Sequence, residues 1–268
     1  MDQPATETDR HQSPPKVNEI TLDHPWQWLA KGWHDLITAP RFSLTYGSAF
    51  VVLSYLLTFG LIYGELFFII PPLAAGFFLV APLLGIGLYQ ISACLERGNP
   101  VSFSNAIKAW KRNEAHLSAM AIVLVLVMLV WMLSALVVFA LFYDRPVPTW
   151  ENFIPEVFLS GKSPVFLFSG IFVGALIAGF TFSISAISVP MLMDRQVDVM
   201  TAMQTSVLAV RKNWQAMVLW ACLIVMFVGA GILTFYIGLI VWMPLIGHAT
   251  WHAYRDLVPE EGGEGPPA

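Results

Sequence analysis

Apolar residues in this chain gather into long uncharged runs, and polar residues gather into short amphipathic stretches between them. The first such stretch, His24 to Ala39, puts Trp26, Leu29, Trp33, Leu36 and Ile37 on one helical face and Gln27, Lys31, His34 and Asp35 on the other. It is too short and too polar to span a bilayer, and tryptophan beside lysine suits a helix lying in the membrane interface. From Phe42 to Leu95 the only charge is Glu65. A spanning helix needs roughly 20 apolar residues, so this run predicts two, at Tyr46–Tyr63 and Leu73–Ile91. Gly64-Glu65 and Pro71-Pro72 bracket the turn.

The grammar then repeats. Gly98-Asn99-Pro100 stops the second span, and Ser102–Asn113 is amphipathic, with Phe103, Ile107 and Trp110 opposite Lys108, Lys111 and Arg112. A third span is expected over His116 to Phe142, an external connection over Tyr143–Lys162, and a fourth span over Val165 to Met193. Gly170, Gly174 and Ala178 recur along the fourth at a spacing that admits a neighbouring helix, or alternatively shapes a groove for lipid or ligand. Asp198–Trp214 is the third amphipathic stretch, with Met200, Met203, Val207, Val210 and Trp214 along one side. The 36 positions from Ala216 to Trp251 carry no charge. One helix of that length would measure about 54 Å against a hydrocarbon core of about 30 Å. Two helices are expected, with a tight turn between Gly229 and Gly238.

The predicted fold is therefore all-α: a polytopic membrane protein of six transmembrane helices in three hairpins, each preceded by an interfacial amphipathic helix on the cytoplasmic side. Lys111-Arg112-Asn113 aligns with Arg211-Lys212-Asn213, and Trp26, Ala30, Lys31 and Trp33 align with Phe103, Ile107, Lys108 and Trp110. The chain thus reads as three units, about 24–95, 96–195 and 196–257, flanked by tails over 1–23 and 258–268 expected to be disordered and cytoplasmic. The first tail is polar, with Pro4, Pro14 and Pro15 and no apolar core, unlike a cleaved signal peptide.

Composition agrees with this class. The chain is 57% hydrophobic and only 12% charged, with a mean hydropathy of +0.67, whereas soluble domains carry about 25% charged residues. The net charge of −4 says little in total, but twelve Lys and Arg fall on one side of the expected spans and two, Arg145 and Lys162, on the other. The positive-inside rule places both termini and all three amphipathic stretches in the cytoplasm. Those basic residues, with tryptophans beside them, fit contact with anionic lipid headgroups and lack the density of a nucleic-acid surface. Cys94 and Cys222 suggest neither a disulfide framework nor a metal site.

Three stretches resemble one family. They are residues 74–89 with Leu-Glu-Arg-Gly at 95–98, then Val-Pro-Met-Leu-Met-Asp-Arg-Gln-Val-Asp at 189–198, then Pro-Leu-Ile-Gly-His-Ala-Thr-Trp-His-Ala-Tyr-Arg-Asp-Leu at 244–257. Together, over roughly 24–258, the chain resembles the bacterial integral membrane family catalogued as domain of unknown function 2189. The resemblance implies a proteobacterial inner-membrane protein and brings no activity and no site residues.

Candidate chemistry is sparse. His248 and His252, four apart on one helix face, can chelate a divalent metal or ligate haem iron, with His116 or Asp194 as a third ligand. Equally, with Trp251, Tyr254 and Arg255 they can anchor a helix end at the interface. Asp194-Arg195 falls where the fourth span leaves the membrane, on the same side as that tail, so Asp194, Arg195, Trp251, Tyr254 and Arg255 form a candidate interfacial polar cluster. Ser183, Ser185 and Ser188 near Pro190 can line a polar path or bond to backbone. No His-Glu-x-x-His, phosphate-binding loop or dinucleotide fingerprint occurs. No cofactor is required by the sequence.

The functional expectation is a non-enzymatic inner-membrane protein acting on lipid organisation or on a partner membrane complex, possible partners being another membrane protein or a second copy. The alternatives are a passive or weakly coupled permease for a small solute, and a metal or haem accessory protein using His248 and His252.

Overall fold

The computed structural model describes residues 15–143, 149–161 and 163–259. Among these residues every regular element is helical: α1 (His24–Thr38), α2 (Pro40–Tyr63), α3 (Ile70–Leu84), α4 (Ile86–Glu96), α5 (Phe103–Lys108), α6 (Glu114–Phe142), α7 (Trp150–Ile154), α8 (Pro164–Ser185), α9 (Ser188–Asp194), α10 (Val199–Lys212), α11 (Trp214–Leu233) and α12 (Leu239–Leu257).

Among the described residues, five stretches are long and apolar enough to cross a membrane: 40–63, 67–96, 103–142, 164–194 and 214–233. The sixth expected span, α12, is not among them, because its second half carries His248, His252, Arg255 and Asp256. The turn expected between Gly229 and Gly238 falls between Leu233 and Leu239. Phe235 and Tyr236 there both adopt positive φ. Residues of α2 hold this turn, Tyr55 Oη donating to the Phe235 carbonyl at 2.7 Å and Thr58 Oγ1 meeting Tyr236 Oη at 2.8 Å.

Local chemistry sets the helix boundaries. Ser102 and Asp198, both extended, accept the backbone N–H of Asn105 and Thr201 and so start α5 and α10. Three short helical stretches each bend into a long apolar helix at one residue. These are Ala39, Asn113 and Asn213, with φ of −122°, −140° and −116° and ψ of 53°, 52° and 34°. Pro40 follows the first bend and opens α2, a position where its missing N–H is unneeded.

Two expected single spans are each broken. Pro82 deprives α3 of one backbone hydrogen bond, and the helix restarts at Gly85 as α4. The fourth span divides at Ala186-Ile187 into α8 and α9, with Pro190 in the first turn of α9. The fragments α4 and α9 turn inward: Ile86 to Cys94 and Ser188 to Met193 are buried throughout.

At the centre lies α12, packed against α1, α2, α4 and α11 and buried without interruption from Met243 to Trp251. Close backbone approach makes this possible. A Cβ on Gly32 would lie 2.7 Å from the Ala249 nitrogen, and one on Gly47 would overlap the Ile240 carbonyl. Trp28, Trp220, Trp251 and Tyr254 fill the surrounding space, Trp28 meeting Trp220 edge to face at 5.5 Å. Outer helices show the reverse pattern, exposing Leu56, Ile122, Leu133, Phe168, Ile171 and Phe172. Lipid is as apolar as leucine, so such a core is held by close packing and polar bonds more than by the hydrophobic effect.

The face expected on α1 needs correcting. Leu29 and Leu36 are buried, but Trp26, Trp33 and Ile37 are exposed, and Trp28, Gly32 and Asp35 face α12 in their place. The reason is a long-range hydrogen bond: Asp35, expected on the polar face, turns inside to meet His252 Nε2 at 2.9 Å.

Candidate functional site

Three inward-turned helices, α4, α9 and α12, finish together, and each finishes in an acid–arginine pair: Glu96-Arg97, Asp194-Arg195 and Arg255-Asp256. The pairs bond across, not within. Arg97 Nη2 donates to Asp194 Oδ1 at 2.5 Å, joining α4 to α9. Tyr254 Oη donates to Asp194 Oδ2 at 2.8 Å and receives Arg195 Nε at 2.8 Å, joining α9 to α12. Glu96 closes the circuit, its Oε2 accepting from Trp251 Nε1 at 2.9 Å and its Oε1 from Arg255 Nε at 3.0 Å. Arg195 also lies over the Tyr254 ring and donates Nη2 to the Val258 and Pro259 carbonyls.

The structure therefore brings together all five residues of the expected cluster: Asp194, Arg195, Trp251, Tyr254 and Arg255. Glu96 and Arg97 belong with them and were missed. Their signal was the acid–arginine dipeptide that ends an apolar run at both 96–97 and 194–195.

A second layer lies deeper. His248 is fully buried, its Nε2 at 2.9 Å from Ser43 Oγ and its Nδ1 at 2.8 Å from Ser92 Oγ. His252 Nε2 lies 2.9 Å from Asp35 Oδ2. Burial of Asp35 opposes its charge, but hydrogen bonds from His252 and Ser92, with the field of both histidines, outweigh it and hold the carboxyl below the ordinary carboxylate range. Asp256 at the helix end accepts Trp28 Nε1 at 2.7 Å and pairs with Lys31 at 3.4 Å.

The two histidines thus have separate partners, and among the described residues no group of three or more His, Cys, Asp or Glu gathers to hold a metal. Asp194, a suggested third ligand, is engaged with Arg97 and Tyr254. Likewise the hydroxyls of Ser183, Ser185 and Ser188 donate to the carbonyls of Gly179, Thr181 and Ile184 in their own helical turns. They line no path. Of the small-residue row, Gly174 does admit a neighbour, since a Cβ there would meet the Trp131 ring at 3.2 Å, whereas nothing lies within 4 Å of one at Gly170. Gly170 lines an apolar cleft of about 350 Å³ with Trp131, Phe139 and Phe166.

Side-chain amides fasten two of the bends. Asn113 Nδ2 donates to the Val197 carbonyl at 2.9 Å, and its counterpart Asn213 Nδ2 donates to the Asn18 carbonyl at 2.9 Å. Asn18 in turn bonds to the Leu257 and Asp256 carbonyls. The end of the first tail is thereby pinned, in contrast to the disorder expected over 1–23; the rest of it, 1–14, and residues 260–268 of the second tail lie outside the described residues. So do Asp144, Arg145 and Lys162 of the external connection.

Five long apolar helices around a polar-capped core define an integral membrane protein of several spans. Residues 69–194, from within the second apolar stretch to the end of α9, match the family described as "Predicted integral membrane protein (DUF2189)". No curated protein and no solved structure matches the chain.

Proposed function

We propose that this chain is a non-enzymatic scaffold of the bacterial inner membrane that organises anionic lipid, or a partner complex, around a rigid six-span bundle. In this reading the bundle comprises three hairpins, with the amphipathic stretches and both termini on the cytoplasmic side. The observation that carries it is the convergence of α4, α9 and α12, where interlocked acid–arginine pairs and buried aromatics close the bundle centre at one end while the outer helices present apolar surface. A solute carrier needs two discrete arrangements about its site, and a joint tied by this many polar bonds resists them.

The sixth span is supported by length and by shielding. Nineteen residues of α12 rise about 28 Å, close to the hydrocarbon thickness. Its polar groups meet α1, α2, α4 and α9, which is how charged residues are tolerated at membrane depth.

Reporter fusions after Tyr63, Glu151 and Val258 test the topology: the first two are expected outside and the last inside, and a C-terminal reporter outside the cell would overturn six spans. Proteoliposomes test the scaffold reading. They are expected to stay tight to a broad panel of small solutes, and selective flux of one solute would replace scaffold with permease.

A further inference from the structure

A cleft of about 340 Å³ opens at the end of the bundle where α4 leaves and α6 enters, lined by Gln90, Arg97, Asn99, Asn105, Lys108 and Arg112 among others. Three of the lining residues are cations and none is a carboxylate. Lys108 and Arg112 are exposed and form no ion pair among the described residues. Arg97 spends Nη2 on Asp194 and keeps further donors of its guanidinium. Asn99 and Asn105 add amides. With Lys108 and Arg112 unpaired among the described residues and Arg97 only partly engaged, positive charge is in excess in a concave site, the electrostatic signature of an anion.

The second observation lies at the floor. Gln90 is only 4% exposed, its Nε2 sits 3.2 Å from Cys94 Sγ, and its Oε1 has no hydrogen-bond partner. Buried polar atoms are nearly always satisfied, so an orphan at the wall of a cleft points to something that fills it. Turning the amide end for end exchanges its oxygen and nitrogen. The Cys94 thiol then donates to Oε1, and Nε2 is left as the free donor on a residue that lines the cleft.

We propose that this cleft binds a phosphate oxyanion, the chemistry shared by anionic lipid headgroups and free phosphate. The inference rests on the scaffold reading and gives it an address. Because Arg97 also ties α4 to α9, a phosphate held there bears directly on the joint between the inward-turned helices, so occupancy stabilises the folded bundle by mass action.

The test uses the purified full chain in detergent, titrated with phosphatidylglycerol or phosphatidylcholine and read by native mass spectrometry, with inorganic phosphate as competitor. One phosphatidylglycerol is expected to bind more tightly than any phosphatidylcholine. The Lys108→Ala, Arg112→Ala double variant should weaken that binding about thirty-fold. An Arg41→Ala, Arg211→Ala control, which removes equal charge elsewhere, should change it less than about threefold. Gln90→Leu should also weaken it while leaving thermal unfolding of the lipid-free protein in place. Displacement of the lipid by millimolar phosphate identifies free phosphate as a ligand of the same site, and resistance to displacement assigns it to lipid headgroups. Equal weakening by the cleft and control pairs, or full binding by Gln90→Leu, overturns the site while general enrichment of anionic lipid leaves the scaffold reading standing. A wild-type chain indifferent to lipid charge removes the site and the lipid-organising reading together.

Discussion

Replacing Asp194 by alanine isolates the joint between α9 and its neighbours. The Asp194 side chain is 6% exposed and accepts from Tyr254 Oη at 2.8 Å and Arg97 Nη2 at 2.5 Å. Arg97 is 40% exposed, so it can turn to water, and its pair contributes at most about 1 kcal/mol. Tyr254 is fully buried. Depriving its hydroxyl of an acceptor costs about 1–3 kcal/mol, giving a total of about 1–4 kcal/mol. Equilibrium unfolding in mixed micelles measures this, and double-mutant cycles divide it. Coupling of Asp194→Ala with Tyr254→Phe is expected to exceed coupling with Arg97→Ala. If Asp194→Ala unfolds within about 0.5 kcal/mol of wild type, or if the exposed arginine carries most of the coupling, the claim that these bonds hold the helices together is wrong.

Gly47→Ala drives a methyl into the Ile240 carbonyl of α12 and should cost about 1–3 kcal/mol or more. Gly60→Ala in the same helix meets nothing within 4 Å and should be neutral or stabilising by up to about 1 kcal/mol; thermal melts compare the two. The carboxyl of Asp35, lowered from 3.8 on folding, contributes stability that is complete above its unfolded value and lost as pH falls through the lower folded one. Unfolding followed below about pH 4 should show this loss, and Asp35→Asn should remove it. Purified protein is expected to carry no stoichiometric metal or haem at His248 and His252. Elemental analysis or an absorption spectrum showing a group that vanishes in the His248→Ala, His252→Ala double variant would reverse that reading.

Much of the architecture was legible from charge-free runs and their punctuation, because a bilayer permits few alternatives. Gly64-Glu65 marks a turn, Ser102 and Asp198 open helices, and the acid–arginine pair at 194–195 ends one. The face of α1 was not legible. Periodicity sorts residues between water and an apolar phase, whereas this helix meets water, lipid and protein. Trp26 and Trp33 stay outside, and Asp35 goes inside because a partner 217 residues away receives it. Local sequence does not contain that partner. The same holds for Glu96, whose donors Trp251 and Arg255 arrive from the other end of the chain, and for Gln90, which looks like any polar residue near a helix end. The breaks at Gly85 and Ala186 were hidden too, since apolar composition continues through both.

The place of α12 bears on the order of events during synthesis. Among the described helices it is made after all the others, yet α1, α2, α4 and α11 all pack against it, and residue 18 bonds to the carbonyls of residues 256 and 257. Until α12 is made, the helices that precede it lack the element they pack around. Ser43, Ser92 and Asp35 wait without the imidazoles that will satisfy them. A chain halted before residue 239 therefore leaves Ser43, Ser92 and Asp35 without these partners, and buried polar groups left unpaired are costly. Synthesis of α12 supplies all three partners from one helix.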